Sequence, residues 1–345
     1  MMRDVSSGTL TSTAMLLDIH GLTVRCEAAS PVLAAELVRP FRFFARERIE
    51  CAVTIVVTEA APAYGALPPI EAQFSTPRNV VYRNENAKVV DYFGRGAIIQ
   101  ERGEPRYQLY SSDRNLLCEA FYLLVTSLFG QHCDRHGLLR VHALALSCHG
   151  RALILLIPQG GGKSTMSVRL LDHPAVRLIS DDDPIVDRDG RILPFPKALG
   201  FIDPQRVANI PPEHVYAVDR MEFGRKFFVD CDYWRGKIED RPLERSILFV
   251  TRRVLNGTPA IEPASKAAAL AALMRDAVIG VGLYQGVEFL FNHSTWEVVA
   301  KAAVVGRRFL RAARLARRSD VYRFTLSTDV GRNCQVLEDF IATLG

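Results

Sequence analysis

The sequence lacks the features that mark secreted and membrane proteins. Its seven cysteines include no CxxC pair, and an odd, scattered set of this kind indicates reduced thiols rather than a disulfide framework. No stretch approaches the roughly 20 apolar residues that a membrane-spanning helix needs. The polar, Ser/Thr-rich start of the chain lacks the apolar core of a signal peptide. We therefore expect a cytoplasmic protein that has no membrane partner.

Strong charge of either sign is also missing. Lys and Arg together number 43 and Asp and Glu 38, a formal net charge of +5. This modest excess suits an anionic ligand but is too weak to indicate nucleic acid. Hydrophobic residues make up 48% of the 345 residues and charged residues 23%, which is typical of a globular protein long enough for two domains.

The most informative segment is LILLIPQGGGKST, residues 153–165. An apolar, β-rich stretch ends at three glycines, where the absence of a Cβ lets backbone N–H groups point at a phosphate. The following residues, 166–171, predict a helix whose positive N-terminus faces the same phosphates. Lys163 is then expected to reach the β- and γ-phosphates, and Ser164 a Mg²⁺ ion. The segment predicts a nucleotide-binding P-loop made of Gly160, Gly161, Gly162, Lys163, Ser164 and Thr165.

One position departs from the full P-loop motif, which has glycine where this chain has Ile157, followed by Pro158. We expect the strand to run on to Ile157, with Pro158 and Gly160 making the turn. A glycine-rich turn that binds no ligand is the alternative. The intact GGGKST and its strand–helix context favour the phosphate site.

A second polar cluster, SDDDP at residues 180–184, follows the next apolar strand. Adjacent carboxylates at the end of a strand near the γ-phosphate can divide two tasks, one holding Mg²⁺ while its neighbour takes the proton of an attacking hydroxyl. Three acids before a proline also occur in solvated turns, but the upstream P-loop favours the catalytic interpretation. His142, in LLRVHALAL, is a lone histidine in an apolar strand, where a core role is more common than a catalytic one.

The order and spacing of these motifs resemble a known catalytic domain. A VHA histidine, a strand hairpin, GGGKST and a strand ending in LISDDD resemble the HPr kinase/phosphorylase family, and most closely its relatives, the serine kinases of ribosomal-peptide (lasso peptide) biosynthesis. The resemblance covers residues 139–183 and, more loosely, the rest of the chain to Gly345. The phosphocarrier-specific signature of the family is not found downstream, so phosphorylation of that carrier is not implied.

The resemblance implies roles for individual residues. Lys163 and Ser164 would handle the phosphates and Mg²⁺, and Asp181 and Asp182 would supply the general base and the metal contact, with Asp182 joining Ser164 at the metal. His142 would orient one of these acids. The implied activity is an ATP- and Mg²⁺-dependent kinase that transfers the γ-phosphate to a hydroxyl, with serine or threonine of a peptide or small protein as acceptor. Members of the family commonly assemble, so a homo-oligomer is a further expectation.

The expected fold class is α/β. We expect an HPr kinase-like catalytic domain at 134–345, with a mixed sheet flanked by helices, preceded by a smaller α+β domain at 1–133. Segment predictions are a helix opened by Ser30-Pro31, an antiparallel meander through 80–82, 88–92 and 97–100, an apolar helix from Asp113 to near Gly130, hairpin turns at His149-Gly150 and Asp189-Gly190, a strand at 246–250, and helices at 265–279 and 295–318.

Other groups of residues allow further interpretations. A metal cluster of His132, Cys133, His136 and His142 is one, although the nearby glycines argue against a rigid helix there. The arginines of the last predicted helix could bind an acidic peptide or nucleic acid, or form a solvated face. These arginines are Arg307, Arg308, Arg311, Arg314, Arg317 and Arg318.

The sequence also leaves open the roles of two segments downstream of the acids and the choice between two rival functions. Arg220, Arg225 and Lys226 could contribute a cation to the phosphoryl group, and the Pro-rich segment 193–204 could be a peptide-accepting loop or a plain surface connection. The rival functions are a kinase of a small-molecule hydroxyl, such as free serine or a sugar alcohol, and a nucleotide-binding interaction protein without catalysis.

Overall fold

The computed structural model describes residues 13–158, 161–220, 224–279 and 295–345. These residues divide into two compact units, one of residues up to 128 together with 217–226, and one of the remaining residues from 129 onward. The division between Leu128 and Phe129 falls inside a long helix, whereas the sequence analysis places the boundary after residue 133. The described residues form one nine-stranded sheet, one six-stranded sheet and two three-stranded sheets, and the architecture is mixed α/β.

The first unit is built on one large sheet. Its strands are β1 (Thr13–Ile19), β2 (Leu22–Ala28), β3 (Ala45–Arg46), β4 (Val53–Thr58), β5 (Ala72–Ser75), β6 (Val80–Arg83), β7 (Ala87–Asp91), β8 (Gly96–Glu101) and β9 (Arg106–Ser111). The nine strands follow the order β3-β1-β2-β4-β9-β8-β7-β6-β5. The predicted meander is confirmed, because β6, β7 and β8 pair antiparallel. The predicted helix α1 (Pro31–Val38) is also confirmed, and the Ser30 hydroxyl caps it by accepting the Leu33 N–H.

The later strands and helices vary more in length. The strands are β10 (Leu139–Arg140), β11 (Leu144–Cys148), β12 (Arg151–Leu156), β13 (Arg177–Ser180), β14 (Ile185–Val186), β15 (Ile192–Leu193), β16 (Leu199–Phe201), β17 (Val215–Arg220), β18 (Gly224–Val229), β19 (Arg245–Arg253), β20 (Ala260–Pro263) and β21 (Asp320–Leu326). The helices are α2 (Arg114–His136), α3 (Lys163–Leu171), α4 (Lys266–Leu273), α5 (Thr295–Arg318) and α6 (Val330–Ala342). Short 3₁₀ segments cover Arg39–Phe44, Tyr64–Ala66, Pro204–Val207, Pro212–His214 and Cys231–Lys237, and a π-helical turn, Met274–Ile279, continues α4.

A six-stranded sheet forms the centre of the second unit, in the order β13-β11-β12-β19-β21-β20. β12 pairs antiparallel with β11 and parallel with β19, and β19 pairs parallel with β21. Every residue of β12 after Arg151 is buried, as expected for a central strand that is covered on both faces. This strand leads directly into the glycine loop, so the core of the sheet holds the loop in place.

Helix α2 begins where the sequence predicts and ends later. The Asp113 carboxylate accepts the N–H groups of the first turn and caps the helix, but the helix runs through Gly130 to His136. Gly130 serves close packing rather than termination, since a Cβ there would lie 3.2 Å from an Arg140 guanidinium nitrogen. Gly137, at φ +69°, adopts the left-handed conformation that ends the helix.

Helix α2 is also long and apolar enough by composition to cross a membrane, which the sequence analysis did not find in any stretch. Its most apolar window is 67% buried inside the protein. A helix that is covered by its own chain in this way behaves as a core helix, and core helices commonly pass the same test of length and composition.

The predicted turns and the later helices are confirmed. His149 and Gly150 have φ values of 48° and 71° in the turn between β11 and β12, and Gly190 has φ 85° in the turn between β14 and β15. The Ser265 hydroxyl caps α4. The predicted strand at 246–250 lies inside β19, and α5 has the bounds predicted from its sequence pattern.

Candidate functional site

The glycine loop joins β12 to α3, as the sequence predicts. The strand ends at Leu156, one residue earlier than expected, because the Ile157 N–H turns back to donate to the Leu155 carbonyl. Gly161 donates to the Pro158 carbonyl at 3.0 Å. Of the predicted phosphate-binding glycines, Gly160 lies outside the described residues.

The two described glycines both occupy positions that a side chain would disturb. Gly162 precedes α3 with φ +92°, a left-handed conformation that is costly for residues with a Cβ. A Cβ on Gly161 would lie 2.5 Å from Ile157 Cγ2 and 2.9 Å from the Pro158 oxygen. Within the described residues, no side chain caps α3, so the first N–H groups of this helix are available to an anion.

Lys163 reaches back from the first turn of α3 across the glycine loop. Its ammonium group lies 2.8 Å from His142 Nε2, donates to the Ile157 carbonyl at 3.1 Å, and is 3.6 Å from Asp182 Oδ1. The side chain is 10% exposed. The lysine therefore sits at the point where the loop, the histidine and one of the acids meet.

His142 lies between Lys163 and Asp182, in the short connection between β10 and β11. Because an ammonium group only donates hydrogen bonds, His142 Nε2 must accept from Lys163. The proton of the neutral ring is then on Nδ1, which lies 3.1 Å from Asp182 Oδ1. The His142 N–H donates to the Asp276 carbonyl and the neighbouring Ala143 N–H to the Asp182 carbonyl, so the backbone also fixes the ring beside the acid.

Asp182 carries an ionised carboxylate in this arrangement. Burial by itself would raise its pKa, but the hydrogen bond from His142 and the positive charges of Lys197 and Lys163 outweigh that effect. The pKa of Asp182 therefore lies well below its usual range. Its side chain remains 40% exposed, so the carboxylate is accessible as well as charged.

Asp181 faces a different set of partners on α3. Ser164 donates to Asp181 Oδ2 at 2.8 Å, and Ser167 donates to Asp181 Oδ1 at 2.7 Å. The sequence analysis pairs Ser164 with Asp182, whereas the structure pairs it with Asp181. Ser167 was missed, although its position three residues after Ser164 places both hydroxyls on one face of a helix.

Asp183, unlike the other two acids, forms a buried ion pair. Its Oδ2 accepts a hydrogen bond from Lys197 at 2.7 Å, and the side chains of both residues are less than a tenth exposed. The Lys197 ammonium also lies 5.3 Å from the centre of the Phe195 ring. No local sequence pattern pairs Lys197 with Asp183. The two side chains meet because the chain folds back through the β14–β15 hairpin between them.

The site offers two possible groups of metal ligands. His142, Asp182 and Asp183 each have a ligand atom within 4.8 Å of the others, but Lys197 engages Asp183, and His142 is held between Lys163 and Asp182. The other group, the Ser164 hydroxyl and the Asp181 carboxylate, presents oxygen donors of the kind that Mg²⁺ prefers.

The alternative cluster of His132, Cys133, His136 and His142 does not form among the described residues. His132 and His136 stack with ring centres 4.0 Å apart near the end of α2, and His136 Nδ1 lies 2.9 Å from the His132 carbonyl. Burial raises the pKa of the Cys133 thiol to about 12, so it is a poor source of the thiolate that a metal needs.

Most of the arginine stripe of α5 contacts the chain itself. Arg308 binds both carboxylate oxygens of Asp134 at 2.8 Å, and two more arginines donate to the Arg188 carbonyl. Arg318 donates to the Asp189 carbonyl. These contacts hold α5 against α2 and the hairpin turn, whereas Arg307 and Arg317 are exposed, so the solvated-face interpretation holds for part of the stripe. Binding of an acidic partner stays a prediction.

The Pro-rich segment 193–204 is not an open loop. Phe195 is 1% exposed and stacks on Phe129 at 4.9 Å, and Phe201 is 5% exposed. Arg220, Arg225 and Lys226, the other cations suggested by the sequence, belong to the first unit, where Arg225 lies 3.9 Å from Asp219. Their role as a phosphoryl cation stays a prediction.

A cavity of about 600 Å³ lies along α3 beside the glycine loop. Thr165, Arg169 and Asp172 line it from α3, and Asp329 and Val330 from the start of α6. Val330 is also the side chain nearest to the position that a Cβ would take on Gly162, at 3.6 Å. The cavity therefore begins next to the glycine loop.

Comparison of this chain with protein-family models finds no match, and comparison with curated proteins finds none. The site is thus defined by its own geometry. It consists of a glycine loop between a buried strand and a helix, a lysine held by a histidine and a carboxylate, and a hydroxyl held by a second carboxylate.

Proposed function

We propose that the second unit is a P-loop phosphotransferase of the HPr kinase type, which transfers the γ-phosphate of ATP to a hydroxyl of serine or threonine in a peptide or small protein. One observation carries this proposal: Lys163, His142 and Asp182 are mutually in contact at the glycine loop, while Ser164 and Asp181 form a second pair beside them. A P-loop that bound no ligand would not need two carboxylates at its mouth.

Phosphoryl transfer needs positioning and charge compensation more than covalent chemistry. Lys163 would leave its contact with His142 to neutralise the β- and γ-phosphates, together with the free N–H groups of α3. Asp182, ionised at neutral pH, would accept the proton of the acceptor hydroxyl as the new O–P bond forms and the bond to the leaving diphosphate breaks. His142 would keep Asp182 oriented through Nδ1.

The oxygen donors near the loop fit a magnesium ion. Ser164 and Asp181 would hold Mg²⁺, which supplies charge neutralisation to the phosphate oxygens when it is bound. Ser167, by donating to the second oxygen of Asp181, fixes the orientation of that carboxylate. In this assignment Asp181 binds the metal and Asp182 accepts the proton, whereas the sequence does not divide the two roles in this way.

The cavity along α3 suits the nucleoside part of ATP. It starts at Thr165, the residue that follows the phosphate-binding lysine and serine, and its volume of about 600 Å³ lies in the range of small-molecule sites. Arg169 and Asp172 provide polar groups on its α3 wall, and Phe201 an apolar surface. The free cysteines and the buried α2 agree with a protein of the cytoplasm.

The proposal is tested with the full chain, Mg²⁺ and γ-labelled ATP. We expect Lys163→Ala to lower phosphotransfer by at least about 100-fold, since it removes the charge that compensates the transferred group. Lys237→Ala is the matched control, because Lys237 donates to the His173 carbonyl outside the site, and it should retain normal turnover. Near-normal phosphotransfer by Lys163→Ala would contradict the assigned role.

The acceptor is identified by mass spectrometry in parallel reactions. One set contains peptides with serine or threonine, and a second contains free serine and sugar alcohols. A mass gain of one phosphate confined to the peptides supports the proposal. Phosphate on the small molecules alone would make the protein a small-molecule kinase, and nucleotide binding without any transfer would make it a binding protein.

A further inference from the structure

A second cavity lies at the opposite end of the central strands from the glycine loop. It has a volume of about 730 Å³ and opens where β12 and β19 begin, whereas the loop follows the end of β12. Four arginines line it, Arg151, Arg191, Arg245 and Arg318, together with three carboxylates. None of the residues that line this cavity takes part in the proposed phosphotransfer.

Two of these arginines are direct neighbours. Arg151 and Arg245 are the first residues of β12 and β19, and the parallel register of the two strands places them side by side. Neighbouring strands lie about 4.8 Å apart, and like charges at directly opposed positions repel. In the part of the chain that the structure describes, neither guanidinium forms a hydrogen bond or an ion pair with another side chain.

Another arginine of the lining, Arg191, already has carboxylate partners. Arg191 lies 2.7 Å from Asp187 and 3.8 Å from Asp189. The hydrogen bond that Arg191 donates to Asp187 and the negative charges of Asp187, Asp189 and Glu244 raise the pKa of Arg191. Asp320, at the start of β21, is the third carboxylate of the lining. The cavity thus combines two arginines that have no side-chain partner among the described residues with nearby carboxylates.

The wall opposite the arginine pair is held in place by the packing of α5. Arg318 donates to the Asp189 carbonyl, and its side chain lies 3.3 Å from the position that a Cβ would take on Gly190. Gly190 itself adopts φ +85°, which favours glycine. The hairpin turn therefore keeps one conformation against α5, and a site that is rigid before binding loses less entropy when a ligand arrives.

We propose that this cavity binds a small organic phosphate that also carries an amino or hydroxyl group. Arg151 and Arg245 form the phosphate clamp, because guanidinium groups bind phosphate through paired, charge-assisted hydrogen bonds. Asp320 and Glu244 meet the donor group of the same ligand. The volume of about 730 Å³ leaves room for an organic group beside the phosphate.

O-phosphoserine is the probe, because it joins a phosphate to an ammonium group. Binding is measured by calorimetry on the full chain carrying Lys163→Ala, so that the glycine loop is weakened as a competing phosphate site. We expect Arg151→Gln/Arg245→Gln to bind O-phosphoserine at least tenfold more weakly. Inorganic phosphate should bind more weakly than O-phosphoserine to the unchanged cavity, and free serine should not bind.

The matched control is Arg307→Gln/Arg317→Gln, which removes the same charge from two exposed arginines of α5 outside the cavity. It should retain binding. Equal loss of binding in both double variants would mean that only the net charge of the protein matters, which would contradict a specific site. Unchanged binding in Arg151→Gln/Arg245→Gln would also overturn the proposal. Should that double variant fail to fold, as judged by thermal unfolding, the exposed Arg245→Gln alone carries the test, with binding weakened at least severalfold.

Discussion

Three consecutive aspartates illustrate how much a single side chain depends on its partners. Asp181 is bound by two hydroxyls of α3, Asp182 by His142 and Lys163, and Asp183 by Lys197. In the sequence they are equivalent carboxylates in one short run. In the folded chain Asp181 accepts hydrogen bonds from two hydroxyls, Asp182 is a partly exposed carboxylate with a lowered pKa, and Asp183 belongs to a buried ion pair.

The first two aspartates should separate in their kinetic effects. We expect Asp182→Asn to retain nucleotide binding while turnover falls by about 100-fold or more, because a general base typically contributes a factor of that size. We expect Asp181→Asn to raise the Mg²⁺ concentration needed for half-maximal turnover, because the oxygen ligand loses its charge.

The measurement is initial-rate phosphotransfer at varied Mg²⁺ together with calorimetric ATP binding. Asp240→Asn, which alters an exposed carboxylate beside Arg241, is the control and should change neither quantity. If both site variants lost nucleotide binding and turnover equally, the two aspartates would be structural and the division of roles would be wrong.

The glycine loop shows that a strand–loop–helix element can depart from a motif and keep its shape. Ile157 stands where the motif has glycine, and its side chain is 1% exposed, packed where a Cβ on Gly161 would come. The isoleucine thus adds apolar contact to the core of the sheet, and Gly161 is required because of it. The departure from the motif and the glycine run are two parts of one packing arrangement.

Gly161→Ala should therefore disturb the loop strongly. The new Cβ would meet Ile157 Cγ2 at 2.5 Å and the Pro158 oxygen at 2.9 Å, and overpacking of this kind costs about 1–3 kcal/mol. We expect ATP affinity, measured by calorimetry, to fall by roughly tenfold, which corresponds to about 1.4 kcal/mol.

Gly236→Ala is the control for that substitution, because a Cβ there meets nothing within 4 Å. Combining Ile157→Ala with Gly161→Ala removes the closest clash and should restore part of the affinity. Full ATP affinity in Gly161→Ala alone would show that the loop adapts freely, contrary to the packing described above.

Across the whole molecule, the seven cysteines are free and most are buried in the two units. Burial is the main cause that raises the pKa of Cys26 and Cys133 to about 12, and that of Cys118 and Cys334 to about 11. Thiols with such pKa values carry almost no thiolate near neutral pH and are poor nucleophiles.

We expect the native protein to react slowly with a chromogenic disulfide reagent at pH 8, and all seven thiols to titrate once the chain is unfolded in denaturant. Cys51, which is only partly buried, should react first, and Cys51→Ser should remove that early phase. A titration below seven that rises to seven after reduction would reveal a disulfide and contradict this description.

Local chemistry was readable from the sequence wherever neighbouring residues decide the outcome. The helix caps at Ser30, Asp113 and Ser265, the hairpin turns, the bounds of α5 and the glycine loop all depend on backbone conformation and hydrogen bonds over a few residues. The end of α2 was misjudged because Gly130 is needed by a side chain ten residues further on, Arg140, and not by the backbone of the helix.

Only the tertiary structure decided which partner each aspartate has and that Lys197 is buried beside Asp183. It also decided that Arg151 and Arg245 are neighbours at the start of β12 and β19. Sequence patterns assign a residue to an element or a face, but a hydrogen bond depends on separations near 3 Å. Those separations follow from how β13, the hairpin after it and α3 pack on the central sheet, and from the register between β12 and β19. Contacts between distant parts of a chain are set by that packing.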